Sequence, residues 1–121
     1  MAWRVTFCDE FEREYEALDE AVQDELLAQL KVLELFGPSL GRPQVDTLKG
    51  SKHTNMKELR FRADNGVWRV AFAFDPQRAV IVLVGGDKSG GSQQRFYKRL
   101  IKAADERFDR HLAALEEGKN G

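Results

Sequence analysis

The sequence predicts an α+β domain with elements in the order β-α-α-β-β-β-α. Three observations carry that prediction. A helical period runs through residues 9–36, a two-residue pattern lies within Met56 to Lys88, and a helical period returns after Ser92. Helices grouped ahead of strands, in place of strict alternation, favour segregated layers over a doubly wound sheet. At 121 residues the chain is long enough for one hydrophobic core and reads as a single domain, 1–121.

Trp3, Val5 and Phe7 alternate with Ala2, Arg4 and Thr6, the pattern of a short half-buried strand. Asp9 opens a helix. Asp9 and Glu12 have the spacing of a capping box, with Asp for the usual Ser or Thr, and Phe11, Tyr15 and Leu18 share one helical face. Asp19 reads as a second N-cap, followed by a stripe of Val22, Leu26, Leu30 and Leu33 that runs to Phe36 and stops at Gly37-Pro38. The two segments describe a helical hairpin, with a single bent helix as the alternative. Residues 37–54, punctuated by Pro38, Gly41, Pro43 and Gly50, read as a loop.

Asn65-Gly66 at the centre of a two-residue turn is the strongest short hairpin signal, because a type I′ turn needs φ > 0 at both centres. That turn pairs Asp64 with Val67. Phe61 then faces Val70, Leu59 faces Phe72 and Ala63 faces Trp68 on one side, while Arg62 faces Arg69 on the other with Arg60 diagonal to it. Asp75 to Arg78 form a second turn. Ala79 to Val84 are apolar on both faces and predict a central strand of an antiparallel meander, which Gly85-Gly86-Asp87-Lys88 then leaves. Phe96, Leu100, Ala104, Phe108 and Leu112 predict one long C-terminal helix ending near Gly118.

Composition narrows the function classes. Cys8 is the sole cysteine, which rules out an intramolecular disulfide and a cysteine-rich zinc site; with two isolated histidines, neither a metal centre nor a cofactor is expected. The longest apolar run, Ala79 to Val84, is far too short to span a membrane. The N-terminal MAWRVTFCDE has no apolar signal region, so a cytoplasmic location is expected. Net charge is −1, but residues 42–102 hold 13 Lys and Arg against 5 Asp and Glu, and the remainder hold 6 against 15. A basic middle between acidic helices suits a surface that faces a polyanion. Its other reading is the ordinary preference of helix N-termini for acidic side chains.

Arg60, Arg62 and Arg69 are the most informative cluster. Like charges opposed on a sheet are unfavourable unless something anionic sits beside them. One reading is a phosphate-binding surface, where guanidinium forks grip oxygens and stabilise developing charge; the other is pairing with nearby acids such as Glu58, or plain exposure on a one-sided sheet. The glycines around Lys88 do not make a P-loop, since Asp87 stands where that motif needs Gly before Lys-Ser. They read as a flexible connector with Lys88 pointing across the strand ends. Tyr97 lies either in ordinary helix packing or with its hydroxyl over the sheet. His53 is a lone loop histidine, either solvated or an acid–base group.

The series Leu40-Gly41-Arg42-Pro43, Val45-Asp46, Leu48-Lys49-Gly50-Ser51, Lys57-Glu58-Leu59-Arg60, Trp68-Arg69-Val70 and Gly86-Asp87-Lys88, ending in a Tyr-containing helix, resembles the phage-derived HigB-like branch of the RelE/ParE toxin superfamily. The resemblance spans nearly the whole chain. It implies a RelE-like fold and the toxin half of a type II toxin–antitoxin pair, whose partner would be a HigA-like helix-turn-helix antitoxin. HigB and RelE toxins cleave mRNA on the translating ribosome, whereas ParE relatives poison DNA gyrase on the same fold. The expected activity is therefore metal-independent endoribonuclease cleavage of mRNA on the ribosome, with no small-molecule ligand; a non-enzymatic gyrase or host inhibitor is the alternative. By the same resemblance Arg69 would hold the scissile phosphate, Lys88 would add positive charge, and Tyr97 would act as base or stack on one. Arg60, Arg62, Lys49, Lys52 and His53 would bind RNA. RelE carries two lysines on the first hairpin strand where this chain has Met56 and Glu58, which leaves the acid–base group open among His53, Glu58 and Lys52.

Overall fold

The computed structural model describes residues 2–120, the side chains of Lys119 and Asn120 excepted. The chain runs β1 (Arg4–Phe7), α1 (Asp9–Glu16), α2 (Glu20–Phe36), β2 (Val45–Thr47), β3 (Met56–Ala63), β4 (Gly66–Phe74), β5 (Ala79–Asp87) and α3 (Gln93–Asn120), with a 3₁₀ turn at Gly37–Ser39. The strands form a five-stranded sheet in the order β1-β5-β4-β3-β2. β2 to β5 make an antiparallel meander, and β1 lies parallel to β5. The α+β class, the helical hairpin and the long last helix stand as the sequence predicts. No described helix is long and apolar enough to cross a membrane.

Four details differ, each for a physical reason. The loop of residues 37–54 contains β2, whose three residues pair with Lys57 to Leu59; Val45 is buried there, but three residues are too few to show a period. The β3–β4 turn is centred on Asp64 and Asn65, which take φ of 49° and 61°. Gly66 is the first paired residue, opposite Ala63. Its role is space: a Cβ there would lie 2.7 Å from Asp87 Oδ2 and 2.8 Å from Trp68 Nε1. Each partner therefore moves by two residues, so Leu59 opposes Val70, Phe61 opposes Trp68, Arg62 opposes Val67, and Arg60 faces Arg69 directly. A slide of two preserves the faces. β5 does not leave the sheet at Gly85 but continues to Asp87, with Gly86 beside Arg69. Finally, α1 is capped by Cys8 without a side-chain bond, so no capping box forms at Asp9, and Asp19 caps α2 by position alone.

Helices pack on both faces of the sheet. Leu59, Phe61, Val70, Phe72, Val80 and Val82 pack on the α1–α2 hairpin through Phe11, Val22, Leu26, Leu30 and Leu33. On the other face Ala71, Ala73, Ala79, Ile81 and Leu83 receive Leu100, Ala104 and Phe108 of α3. The alanines matter because small side chains let a helix lie close on a strand. Phe96 seats over Gly86, where a Cβ would come within 2.9 Å of its ring. From there α3 runs toward the β4–β5 turn, where His111 Nε2 meets Asp75 Oδ2 at 2.9 Å. The helix thus covers one end of this face and leaves the other open around Arg60 and Arg62. The open end holds the cations.

Candidate functional site

The two-residue period of β3 sets Glu58, Arg60 and Arg62 on the α3 side of the sheet, and β4 sets Arg69 opposite Arg60. Arg69 does not face outward as a free cation. It is only 6% exposed, and Glu58 beside it is 8% exposed. Arg69 Nε lies 3.4 Å from Glu58 Oε1, and Nη1 donates to the Trp68 carbonyl at 2.9 Å. The Nε itself is buried and has no hydrogen-bond partner among the described residues, so the attraction to Glu58 is Coulombic rather than a directed bond. The pairing with Glu58 that the sequence left as an alternative is therefore real. It does not exhaust the cluster, because Arg60 and Lys88 add further positive charge beside it.

Tyr97 completes the arrangement. Its hydroxyl donates to Glu58 Oε1 at 2.7 Å, which places it over the sheet. Burial, then the hydrogen bond and charge of Glu58, push the Tyr97 phenol up, against an opposing pull from Arg69. A phenol that holds its proton in this way is a donor that orients the carboxylate. It is a poor base.

Lys88 follows β5 and is aimed by its backbone. Its amide donates to the Val67 carbonyl at 2.8 Å, while Asp87 Oδ1 accepts from the amides of Val67 and Ser89, both at 2.9 Å, and from the Ser89 hydroxyl at 2.6 Å. Burial, then the charges of Arg69 and Arg60, hold Lys88 below the usual lysine range, with Glu58 opposing. An ammonium destabilised by neighbouring guanidiniums gives up its proton more readily.

The remaining expected residues divide. Arg60 is drawn loosely toward Asp46 at 3.9 Å, and Arg62 is exposed; with Arg69 and Pro43 they line one cleft. Lys49 lines a second, with Glu58, Gln93 and Tyr97. Lys52 and His53 are not brought to the site. Both bind Asp109 of α3, Lys52 Nζ at 2.5 Å and His53 Nε2 at 2.8 Å, and the His53 ring packs on Phe108. They pin the loop to the far part of the helix, three turns from Tyr97 by sequence spacing. Lys52 in turn holds the Asp109 carboxyl below the usual range, with His53 adding to the effect.

Glu58 is the residue that sequence reasoning undervalued. The signal was present, since residues 58, 60 and 62 share one strand phase. What was not legible was the tyrosine that meets it from 39 residues away.

The fold and site define a compact α+β protein whose sheet carries a carboxylate–guanidinium–phenol cluster flanked by cations. Residues 3–109 match the family described as phage-derived protein Gp49-like (DUF891), and the chain belongs to it. Two Mycobacterium tuberculosis proteins named as candidate toxins are similar. HigB2 is 48% identical over 84% of this chain, and HigB3 is 40% identical over 94% of it. The chain spans about half of HigB2 (51%) and nearly all of HigB3 (97%). Among solved structures, a substituted Escherichia coli toxin RelE in the free state aligns with a TM-score of 0.60 at 16% identity, covering 84% of this chain and 95% of that one. That likeness establishes a RelE-type fold. This chain is a HigB-like protein on that fold.

Proposed function

We propose that this protein is the toxin of a toxin–antitoxin pair and inhibits translation as a ribosome-dependent mRNA endoribonuclease. The observation that carries the reading is the Glu58–Tyr97–Arg69 cluster at the open end of the sheet, with Lys88 and Arg60 beside it. Glu58, held by the Tyr97 hydroxyl, takes the proton of a ribose 2′-hydroxyl. The 2′-oxygen then attacks the adjacent phosphorus. Arg69 and Arg60 stabilise the charge that gathers on the phosphoryl oxygens, and Lys88 gives a proton to the departing 5′-oxygen. The products are a 2′,3′-cyclic phosphate and a 5′-hydroxyl end. Arg62 and Lys49 position the RNA through its backbone.

The partner this reading requires is an antitoxin, expected to be HigA-like with a helix-turn-helix domain, and the site of action is the cytoplasm. The test is to map mRNA 5′ ends after brief induction. New ends inside translated frames, absent with Glu58→Gln, are expected. Growth arrest with DNA-damage signalling and no new ends would overturn the reading in favour of a gyrase-type inhibitor.

A further inference from the structure

The second cleft has an unassigned polar group. Six residues line the part that matters: Asp46, Thr47, Lys49, Glu58, Gln93 and Tyr97. It lies against Glu58, whereas the arginine cleft of Arg60, Arg62 and Arg69 lies against the cationic member of the pair. Most of its polar groups are already engaged. Asp46 accepts from the Thr47 amide at 2.8 Å and faces Arg42 and Arg60; the Thr47 hydroxyl accepts from Lys57 at 3.2 Å; Glu58 accepts from Tyr97. The Gln93 carboxamide makes no hydrogen bond among the described residues. Its backbone is nevertheless fixed. The carbonyl and hydroxyl of Ser92 receive the amides of Phe96 and Arg95 at 3.0 Å and 3.2 Å, and Gln93 is the first residue of α3. Tyr97 lies four positions further along the helix, so the two side chains share a helix face.

We propose that this cleft receives the base of the nucleotide supplying the attacking 2′-hydroxyl, and that Gln93 reads it. The inference rests on the ribonuclease reading above. With the phosphate drawn to the arginines and the 2′-hydroxyl to Glu58, the attached base is directed to the side of Glu58 away from Arg62. That side is the less basic one. There a carboxamide presents one donor and one acceptor to a base edge, in contrast with the charge-only contacts of the arginine cleft. Gln93 is a specificity-determining residue, and the chemistry stays with Glu58, Arg69 and Lys88.

The test uses the full chain and translating ribosomes loaded with four messages that differ only in the base 5′ to the scissile phosphate. The readout is the ratio of cleavage efficiencies among the four, which a purely structural role for Gln93 would scale equally. A bidentate base contact discriminates by about tenfold or more, so the parent is expected to show a spread of that size. Gln93→Ala should compress it to within about threefold, and Gln93→Arg should raise cleavage after guanine relative to the other three, because arginine matches its O6 and N7. A spread that survives both substitutions in an active parent overturns the assignment of Gln93 and leaves the ribonuclease reading intact. A parent that cleaves none of the messages overturns both.

Discussion

Replacing Glu58 by Gln separates catalysis from charge balance at the centre of the site. The change keeps shape and leaves an oxygen to accept the Tyr97 hydroxyl now bonded at 2.7 Å. It removes the carboxylate charge 3.4 Å from Arg69 Nε, in a pair whose side chains are only 8% and 10% exposed. Arg69 would then stand opposite Arg60 with no anion beside it. Breaking a buried ion pair costs about 3–5 kcal/mol, and the retained hydrogen bond brings the expected loss down to about 2–3 kcal/mol. For a domain of this size that lowers Tm by roughly 8–12 °C. Loss of a general base lowers the chemical step by about 10²–10⁴-fold. Single-turnover cleavage on programmed ribosomes, run well below the variant's Tm, gives the rate, and circular dichroism gives the melt. A folded Glu58→Gln protein that cleaves within about threefold of the parent would refute Glu58 as base and leave it a counter-ion. An unchanged Tm would refute the electrostatics.

Three further outcomes are expected. Arg69→Lys retains the charge but loses the planar fork and should lower single-turnover cleavage by about 10²-fold, the lower range for an oxyanion donor, with ribosome pelleting little changed; near-parental cleavage would argue against Arg69 at the phosphate. Arg60→Gln removes one of the two guanidinium charges that depress Lys88, so an NMR titration of its Nζ should move upward toward the ordinary lysine value of about 10.4; a downward shift would contradict the arrangement. The Asp75 carboxyl, which burial alone would raise, is held low by His111 and by the amides of Ala79 and Gln77. Its contribution is therefore present above the unfolded value of about 3.9 and is lost as pH falls through the lower folded value. Asp75→Asn should cost about 1–3 kcal/mol at neutral pH and remove that acid-side loss in urea unfolding. Parallel pH profiles for parent and variant would refute it.

The sequence alone determined the class of this fold, because its evidence is local. The stripe of Val22, Leu26, Leu30 and Leu33, the alternation through β3 and β4, and the apolar run of β5 each report burial within one element. All four stripe residues are in the core, and the β3 and β4 side chains keep their predicted faces. The arginine phase was legible for the same reason. Register was not, since Asp64-Asn65 and Asn65-Gly66 are both acceptable I′ centres; the space that Asp87 and Trp68 leave beside residue 66 goes with the first. The site divided along the same line. Arg60, Arg62 and Arg69 stood out as one cluster on the sheet and Lys88 as a charge across the strand ends, whereas Lys52 and His53 were also named for the site yet are held by Asp109. Only the tertiary structure decided that Arg69 is buried, that Glu58 is its neighbour, and that Tyr97 holds Glu58. The reason is that α3 crosses the second face of the sheet and stops short of its open end, a placement set by Phe96 on Gly86 and by the alanines beneath Leu100 and Phe108. A helical period shows which face of α3 is apolar, but where that face comes to rest depends on the shape of the strands that receive it.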